Sequence, residues 1–404
     1  MKAITKQYFC LIVCCISSFC AASDFSASDF AFQDLLPDSL QMHGFLTQGI
    51  FHSSDNNMYG KSDDGLSPGL TEIGLNLSYR PMDRLTVAAQ GLYRRAGDVD
   101  PGSFRLDYGL VDLSILDIDD LRVGLRGGRV KIPYGLYNET RDVSFTHPGI
   151  LLAQGIYFDR SRSLFVSMDG GALYFDHTDE WGDLSYKLVF GMPQADKEIM
   201  IAVLGPFSQG ELDGKPGFAT QLNYEMMGGR YVFAVSYVDL ELQYDPVKDD
   251  SIGAGYLSFR PLVFSAQFNG EKFGLTGEYL YQWNRFSGFG RSFPDKESAT
   301  QSWYVESTYR FKPQLQGAVR YNVLYLDNDD KQGDKVERLG VPDHGIYAKD
   351  WMVSLRWDVT YSWMLRAEYH RIEGTAWIPS ADNPDPNSTQ KYWDLYGLQL
   401  SYRF

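Results

Sequence analysis

Cysteine is confined to the start of this 404-residue chain, at Cys10, Cys14, Cys15 and Cys20. The residues beyond Cys20 therefore hold no disulfide scaffold, no thiol nucleophile and no thiolate metal site. Positive charge is also short: 37 Lys and Arg face 52 Asp and Glu, a net charge of −15. A surface of that sign excludes nucleic acid as a partner. After the N-terminal segment no apolar run reaches the roughly 20 residues that a spanning helix needs. Histidine is scarce, at six (His43, His52, His147, His177, His344, His370). None sits in a G-x-S-x-G, H-E-x-x-H or similar setting, and no dinucleotide or phosphate-binding glycine loop is present. Catalysis, a cofactor and a metal are therefore not expected.

What the first residues do contain is Lys2 and Lys6, an apolar run from Tyr8 to Ala22, and small residues at Ala21 and Ala22. This is the order of a secretory signal peptide over residues 1–22, with cleavage after Ala22 or Ser23. Cleavage removes both lysines and no acid, taking the charge from −15 to −17. Residues 23–40, acidic and interrupted by Pro37, read as a periplasmic lead segment.

The remainder, 41–404, alternates. In "DWMVSLRWDVT" Trp351, Val353, Leu355, Trp357 and Val359 share one face, with Ser354, Arg356 and Asp358 on the other. "SWYVESTYRF" sets Trp303, Val305, Tyr309 and Phe311 against Tyr304, Glu306, Thr308 and Arg310. The chain ends on "YGLQLSYRF", with Tyr396, Leu398, Leu400, Tyr402 and Phe404 on one face. Aromatic residues, 15% of the chain, gather at the ends of the apolar faces, where membrane interfaces place them. Soluble strands run about 5–6 residues, and many of these runs are twice that. A dozen residues at about 3.3 Å each, tilted by about 45°, rise roughly 28 Å along the membrane normal.

Strands are expected near 41–52, 68–80, 83–95, 103–116, 120–130, 162–176, 182–191, 217–227, 230–244, 251–269, 271–285, 299–311, 314–327, 348–359, 362–374 and 391–404. Tight turns such as "RPMD", "DIDD", "NGE" and "KPQ" alternate with mostly longer segments such as "SSDNNMYGKSDDGLS" and "TAWIPSADNPDPNSTQ". Short periplasmic turns and long outer loops belong to an all-β, transmembrane, antiparallel up-and-down β-barrel of about sixteen strands. Such a barrel has no edge, so strand 391–404 should pair with strand 41–52. Phe404 would then face lipid at the periplasmic interface. The outer membrane of a Gram-negative bacterium is the expected location.

One connection breaks the scheme. Residues 131–161, "KIPYGLYNETRDVSFTHPGILLAQGIYFDRS", are too long and too apolar for a loop in water. Such a loop is expected to fold into the lumen after the fifth strand and narrow it. Residues 127–160 resemble the constriction-loop region of Gram-negative porins, in a branch near the phosphate-selective porins. Phe404 resembles the terminal signature of outer-membrane barrels. The resemblance implies a diffusion channel, a homotrimer, and recognition of the Phe404 strand by the barrel assembly machinery. It does not extend to phosphate, since a lysine-rich lumen is absent.

The residues themselves suggest the constriction. Arg122 and Arg126 lie on the face opposite Leu121, Val123 and Leu125, and Arg129 and Lys131 follow across Gly127–Gly128, where a bulge would change the facing. Arg105 joins them from the preceding strand, and the loop adds Glu139, Arg141 and Asp142. A basic wall facing an acidic loop would set a transverse field and an ion preference. The same charges would equally pin the loop by pairing. Expected solutes are ions and small polar molecules, with acidic outer loops favouring cations and bridging to lipopolysaccharide. A channel selective for sugars, aromatic compounds or anions such as phosphate is the alternative, and an outer-membrane barrel enzyme a more remote one.

Overall fold

The computed structural model describes residues 37–205, 208–248, 250, 252–291 and 293–404. The signal-peptide reading of residues 1–22, and all but the end of the 23–40 lead segment, lie outside the described residues.

Strands occupy β1 (Leu40–Ser53), β2 (Ser67–Met82), β3 (Leu85–Ala96), β4 (Asp100–Ile118), β5 (Leu121–Lys131), β6 (Ser167–Thr178), β7 (Gly182–Pro193), β8 (Glu211–Gly214) and β9 (Gly217–Met226). They continue as β10 (Tyr231–Asp245), β11 (Gly255–Asn269), β12 (Phe273–Ser287), β13 (Lys296–Lys312), β14 (Leu315–Tyr325), β15 (Tyr347–Asp358), β16 (Trp363–Gly374) and β17 (Tyr392–Arg403). The four-residue β8 only extends the edge of β10 in the outer loop region. The other sixteen form one closed antiparallel barrel, each paired with its chain neighbours, and β7 pairs directly with β9.

Closure is made by β1 and β17, in register from Phe45–Arg403 to Ser53–Leu395. Two further bonds, Gly44 N–H to Phe404 C=O and Phe404 N–H to Gly44 C=O, both 3.1 Å, carry the ladder to the last residue. In hydrocarbon each unpaired backbone group would cost several kcal/mol, so this seam removes the one place where a sheet of this kind could fail. Phe404 faces outward and covers Gly44, where a Cβ would collide with its ring.

The period-two faces are as the sequence predicts. Leu46, Leu75, Val87, Leu113, Phe264, Leu275, Val305, Val353, Leu355 and Leu400 are exposed on the outer face, as lipid-facing side chains must be. Two boundaries differ by four residues or more. Arg162–Val166 is a short helix, so β6 begins at Ser167 instead of 162. Leu164 and Val166 are buried there, and the loop's return to the wall overrides the alternation of "SRSLFVS". β11 likewise begins at Gly255, after the 251 expected.

Substituting Gly44→Val should push Phe404 off its seat and strain the β1–β17 seam, at a cost of about 1–3 kcal/mol. The expected result is a lower denaturant midpoint for loss of heat-modifiable mobility on gels. An unchanged midpoint would show that the seam does not need this contact.

Candidate functional site

The segment between β5 and β6 enters the barrel and is bonded to most of its circumference. The rule is simple: inward-facing carboxylates take loop N–H groups, and inward-facing arginines take loop carbonyls. Glu278 on β12 accepts from Leu136 N–H at 2.9 Å, Tyr157 Oη at 2.7 Å, Ser265 Oγ at 2.6 Å and Tyr304 Oη at 2.8 Å. Glu368 on β16 accepts from the N–H groups of Ile150 and, at 3.0 Å, Leu151. Arg320 on β14 donates to the Leu151 carbonyl at 3.0 Å, and Arg356 on β15 to that of Phe145 at 3.0 Å. Arg366 on β16 reaches the carbonyls of His147, at 3.0 Å, and Gly149. Charge-assisted bonds of this kind are about twice as strong as neutral ones.

Neutral contacts fill the gaps. Ser144 meets Thr47 of β1 at 3.1 Å and Ser401 of β17 at 2.9 Å. Gly135 donates to Ser236 of β10 and accepts from Gln221 of β9. On the β2–β3 side, Arg94 joins Glu72 at 3.0 Å and Asp159 at 2.6 Å. Burial pushes the Asp159 carboxyl up, but Arg94 and Arg141 outweigh it and hold the group below the usual range. His147 is buried beside Arg366, and burial first, then that charge, lower it to about 3, so its ring is neutral.

These bonds leave a circumferential asymmetry. At mid-height the inner wall is covered on β1 (Thr47), β2 (Glu72), β3 (Gln90), β9 (Gln221), β10 (Ser236), β12 (Glu278), β13 (Ser302), β14 (Asn322), β15 (Met352), β16 (Arg366) and β17 (Gln399), all buried. The wall of β4–β7 is different. At that height Asp112, Arg126 and Lys187 are half-buried, and nearer the periplasmic turns Arg122 is exposed and Asp176 and Ser185 half-buried. Gly124, Gly128, Gly170, Ala172 and Gly191 are small inner-face neighbours among them, beside the larger Tyr174 and Val189. Facing them, the loop shows an edge with Thr140 and Thr146 exposed and Glu139 and Val143 half-buried.

The eight residues expected at the constriction thus separate into groups. Arg122 and Arg126 hold their guanidinium groups 5.4 and 4.7 Å from the centre of the Tyr174 ring, and Asp112 takes Arg126 Nε at 2.8 Å and Tyr174 Oη at 2.9 Å. Glu139 reaches across to Lys187 at 2.6 Å. Arg105 is engaged by Asp100 at 2.7 Å. Lys131, Arg141 and Asp142 are anchor groups: Lys131 bridges Asp107 at 2.5 Å and Asp142 at 2.8 Å, Asp142 also meets Arg162, and Arg141 bonds the Tyr157 carbonyl at 3.2 Å. Arg129 lies on the same sheet face as Leu125 and pairs with Asp169 at 2.7 Å on the barrel's outer surface. Gly128, at φ +126°, marks the distortion between Arg126 and Arg129. Asp112, Tyr174 and Lys187 escaped the sequence reading, although each holds an inward position in its strand's alternation.

Two apolar clusters pack around the loop. One joins Tyr134, Tyr137, Ile156 and Tyr157 to Val238, Leu240, Leu257 and Leu280 of the wall. The second joins Ile150 and Leu151 to Phe51, Tyr59, Trp377 and Trp393. Tyr304 in the first cluster and Trp393 in the second are inward aromatics, and both are core.

No family model and no curated relative matches the chain. Solved structures do. The anion-selective porin from Comamonas acidovorans is similar at 9% identity and TM-score 0.58, over 91% of this chain and 99% of that one. OprB of Pseudomonas putida, in a high-pH structure, is similar at 11% identity and TM-score 0.56, over 94% and 97%. OmpT of Vibrio cholerae, folded in vitro and in a trimer form, is similar at 10% identity and TM-score 0.53, over 90% and 99%. At these identities the likeness is one of fold: that of Gram-negative outer-membrane porins. It does not distinguish the phosphate-selective branch.

Replacing Glu278 by Leu takes the acceptor from the Tyr157, Ser265 and Tyr304 hydroxyls and leaves Leu136 N–H with Tyr157 Oη alone, a loss of about 3 kcal/mol or more. The barrel should still form, while the amides of Leu136 and Tyr137 lose protection in hydrogen exchange. Unchanged protection there would show that the loop is held without this carboxylate.

Proposed function

We propose that the chain is a non-catalytic outer-membrane channel for passive diffusion of ions and small polar solutes, with its passage along the β4–β7 wall. The observation that carries this reading is a difference in burial at mid-height: Asp112, Arg126 and Lys187 on that segment are half-buried, while Thr47, Gln221, Ser236, Glu278 and Ser302 on other strands are buried. Small side chains on β5–β7 leave room there, Lys187 meets Glu139 of the loop at 2.6 Å, and Arg122 and Arg126 stand on the same wall. Charges so placed act on a permeating ion directly. A site for catalysis finds no support in this arrangement, because its acids and bases are tied into pairs. Lipopolysaccharide around the outer rim, and assembly machinery at the Phe404 strand, are the partners that this reading implies.

The test is single-channel current in a planar bilayer, with reversal potential under a salt gradient. Arg126→Gln frees the Asp112 charge and should shift preference toward cations; Glu139→Gln frees Lys187 and should shift it toward anions. Shifts of several millivolts in opposite directions, with assembly unchanged, are expected. Identical potentials in all three proteins would place the passage elsewhere.

A homotrimer is part of the proposal. The outer face of β3–β6 is flattened by Gly91, Gly109, Gly127 and Gly171, and a Cβ at Gly91 or Gly127 would meet nothing within 4 Å. Packing within the chain therefore does not require these glycines, and close approach of a second copy does. The Arg129–Asp169 pair beside them would be shielded from lipid by that copy. Gly127→Trp should leave the barrel folded and yield monomers in native mass spectrometry. A trimer that survives the substitution would move the interface off this face.

A further inference from the structure

His370 on β16 has a carboxylate on each ring nitrogen. Nδ1 lies 2.9 and 3.0 Å from the two oxygens of Asp350 on β15, and Nε2 lies 2.7 Å from Glu368. All three side chains are buried. A carboxylate accepts and cannot donate, so both nitrogens must carry hydrogen and the ring must be an imidazolium. Glu368 is also the group that holds the N–H of Ile150 and Leu151, the point where the loop tip meets the far wall. The proton on His370 and the docking of the loop therefore share one carboxylate.

We propose that Asp350, His370 and Glu368 form a proton-dependent latch that keeps the loop tip docked and so regulates the passage. The proposal rests on the channel reading above for its consequence, though not for its chemistry. The charges around the ring favour one state. Asp350 faces it from β15, Glu368 from its own strand, and Arg320 from β14, with Arg320 itself shared with Glu306 of β13 at 3.3 Å. β17 contributes Leu395 opposite the ring. On the loop side Arg366 is spent on the carbonyls of His147 and Gly149. With Asp350, Glu368, Glu306, Arg320 and Arg366 counted, the ring proton leaves this buried group neutral, and its loss would leave it one charge negative. Loss would also turn one N–H···O contact into a lone pair facing a carboxylate. Because the docked state holds the proton, docking weakens as pH rises.

Moving Glu368 to relieve that repulsion pulls on Ile150 and Leu151 directly. Both belong to the apolar cluster with Phe51, Tyr59 and Trp377. The loop tip would then leave the wall as a unit, opening the covered side of the lumen.

Hydrogen exchange at the amides of Ile150 and Leu151, corrected for the intrinsic rate, reads the latch from about pH 6 to about pH 10 without any current. Protection in the wild type should fall by about tenfold or more over that range, with a parallel rise in conductance or in current noise. His370→Gln should show low protection at every pH and no step, and His370→Lys, which keeps a positive charge, should keep protection to higher pH. Heat-shifted gel mobility checks that each barrel is folded. Flat wild-type protection, or the same step in His370→Gln, overturns the latch. Current with flat protection overturns the latch and leaves the channel standing. A protection step in a barrel that never conducts leaves the latch and overturns the channel.

Discussion

The whole molecule depends on one constraint: no backbone N–H or C=O may face hydrocarbon unpaired. A sheet meets it only by closing, which it does here between Phe45–Ser53 and Leu395–Arg403. Closure fixes which residues point inward, because the side-chain period is two and a slip of one would invert every strand. The outer face is then largely apolar, with Arg129 and Asp169 paired on it, and the inner face takes most of the charge. Glu278, Glu306, Arg320, Arg356, Arg366 and Glu368 are inward for that reason, and a buried charge without a partner would be costly. The loop supplies the partners.

Seen this way, the loop between β5 and β6 is less a plug than a completion of the wall. Its backbone carries donors and acceptors that strand pairing has not used, and the wall's carboxylates and arginines satisfy them on most of the barrel's circumference. On β5–β7 glycine and alanine stand between the inward Arg122, Arg126 and Lys187, so fewer bonds reach the loop and space remains. Arg122, Arg126, Lys187 and Glu139 are accessible because of this, while Lys131, Arg141 and Asp142 are consumed in holding the structure together. The two roles foreseen for the charged cluster, lining and pinning, fall to different members of it.

The strands were readable from the chain alone because lipid imposes alternation on every one of them, and short turns such as Arg80–Asp83 and Lys312–Gln314 mark their ends. The pairing of the last strand with the first followed from closure, without any motif. The inner architecture was less readable. Alternation tells which way a side chain points, and nothing about what lies across the lumen, so Tyr174 and Lys187 passed as ordinary inward residues. Arg129 is the instructive failure. The bulge expected at Gly127–Gly128 would bring it to the face of Arg126, but the positions are three apart, an odd number, and the distortion at Gly128 does not turn it inward. The helix at Arg162–Val166 was hidden for a related reason, since its sequence alternates like a strand while the loop's packing decides its shape.

The central claim is that solutes pass along the β4–β7 wall and not along the covered remainder. Single cysteines tested with a charged thiol reagent during current recording address it most directly. The account predicts rapid block at Lys187→Cys, on the uncovered wall, and none at Ser302→Cys, which is fully buried on β13. Rapid block at Ser302→Cys, with Lys187→Cys inert, would contradict it.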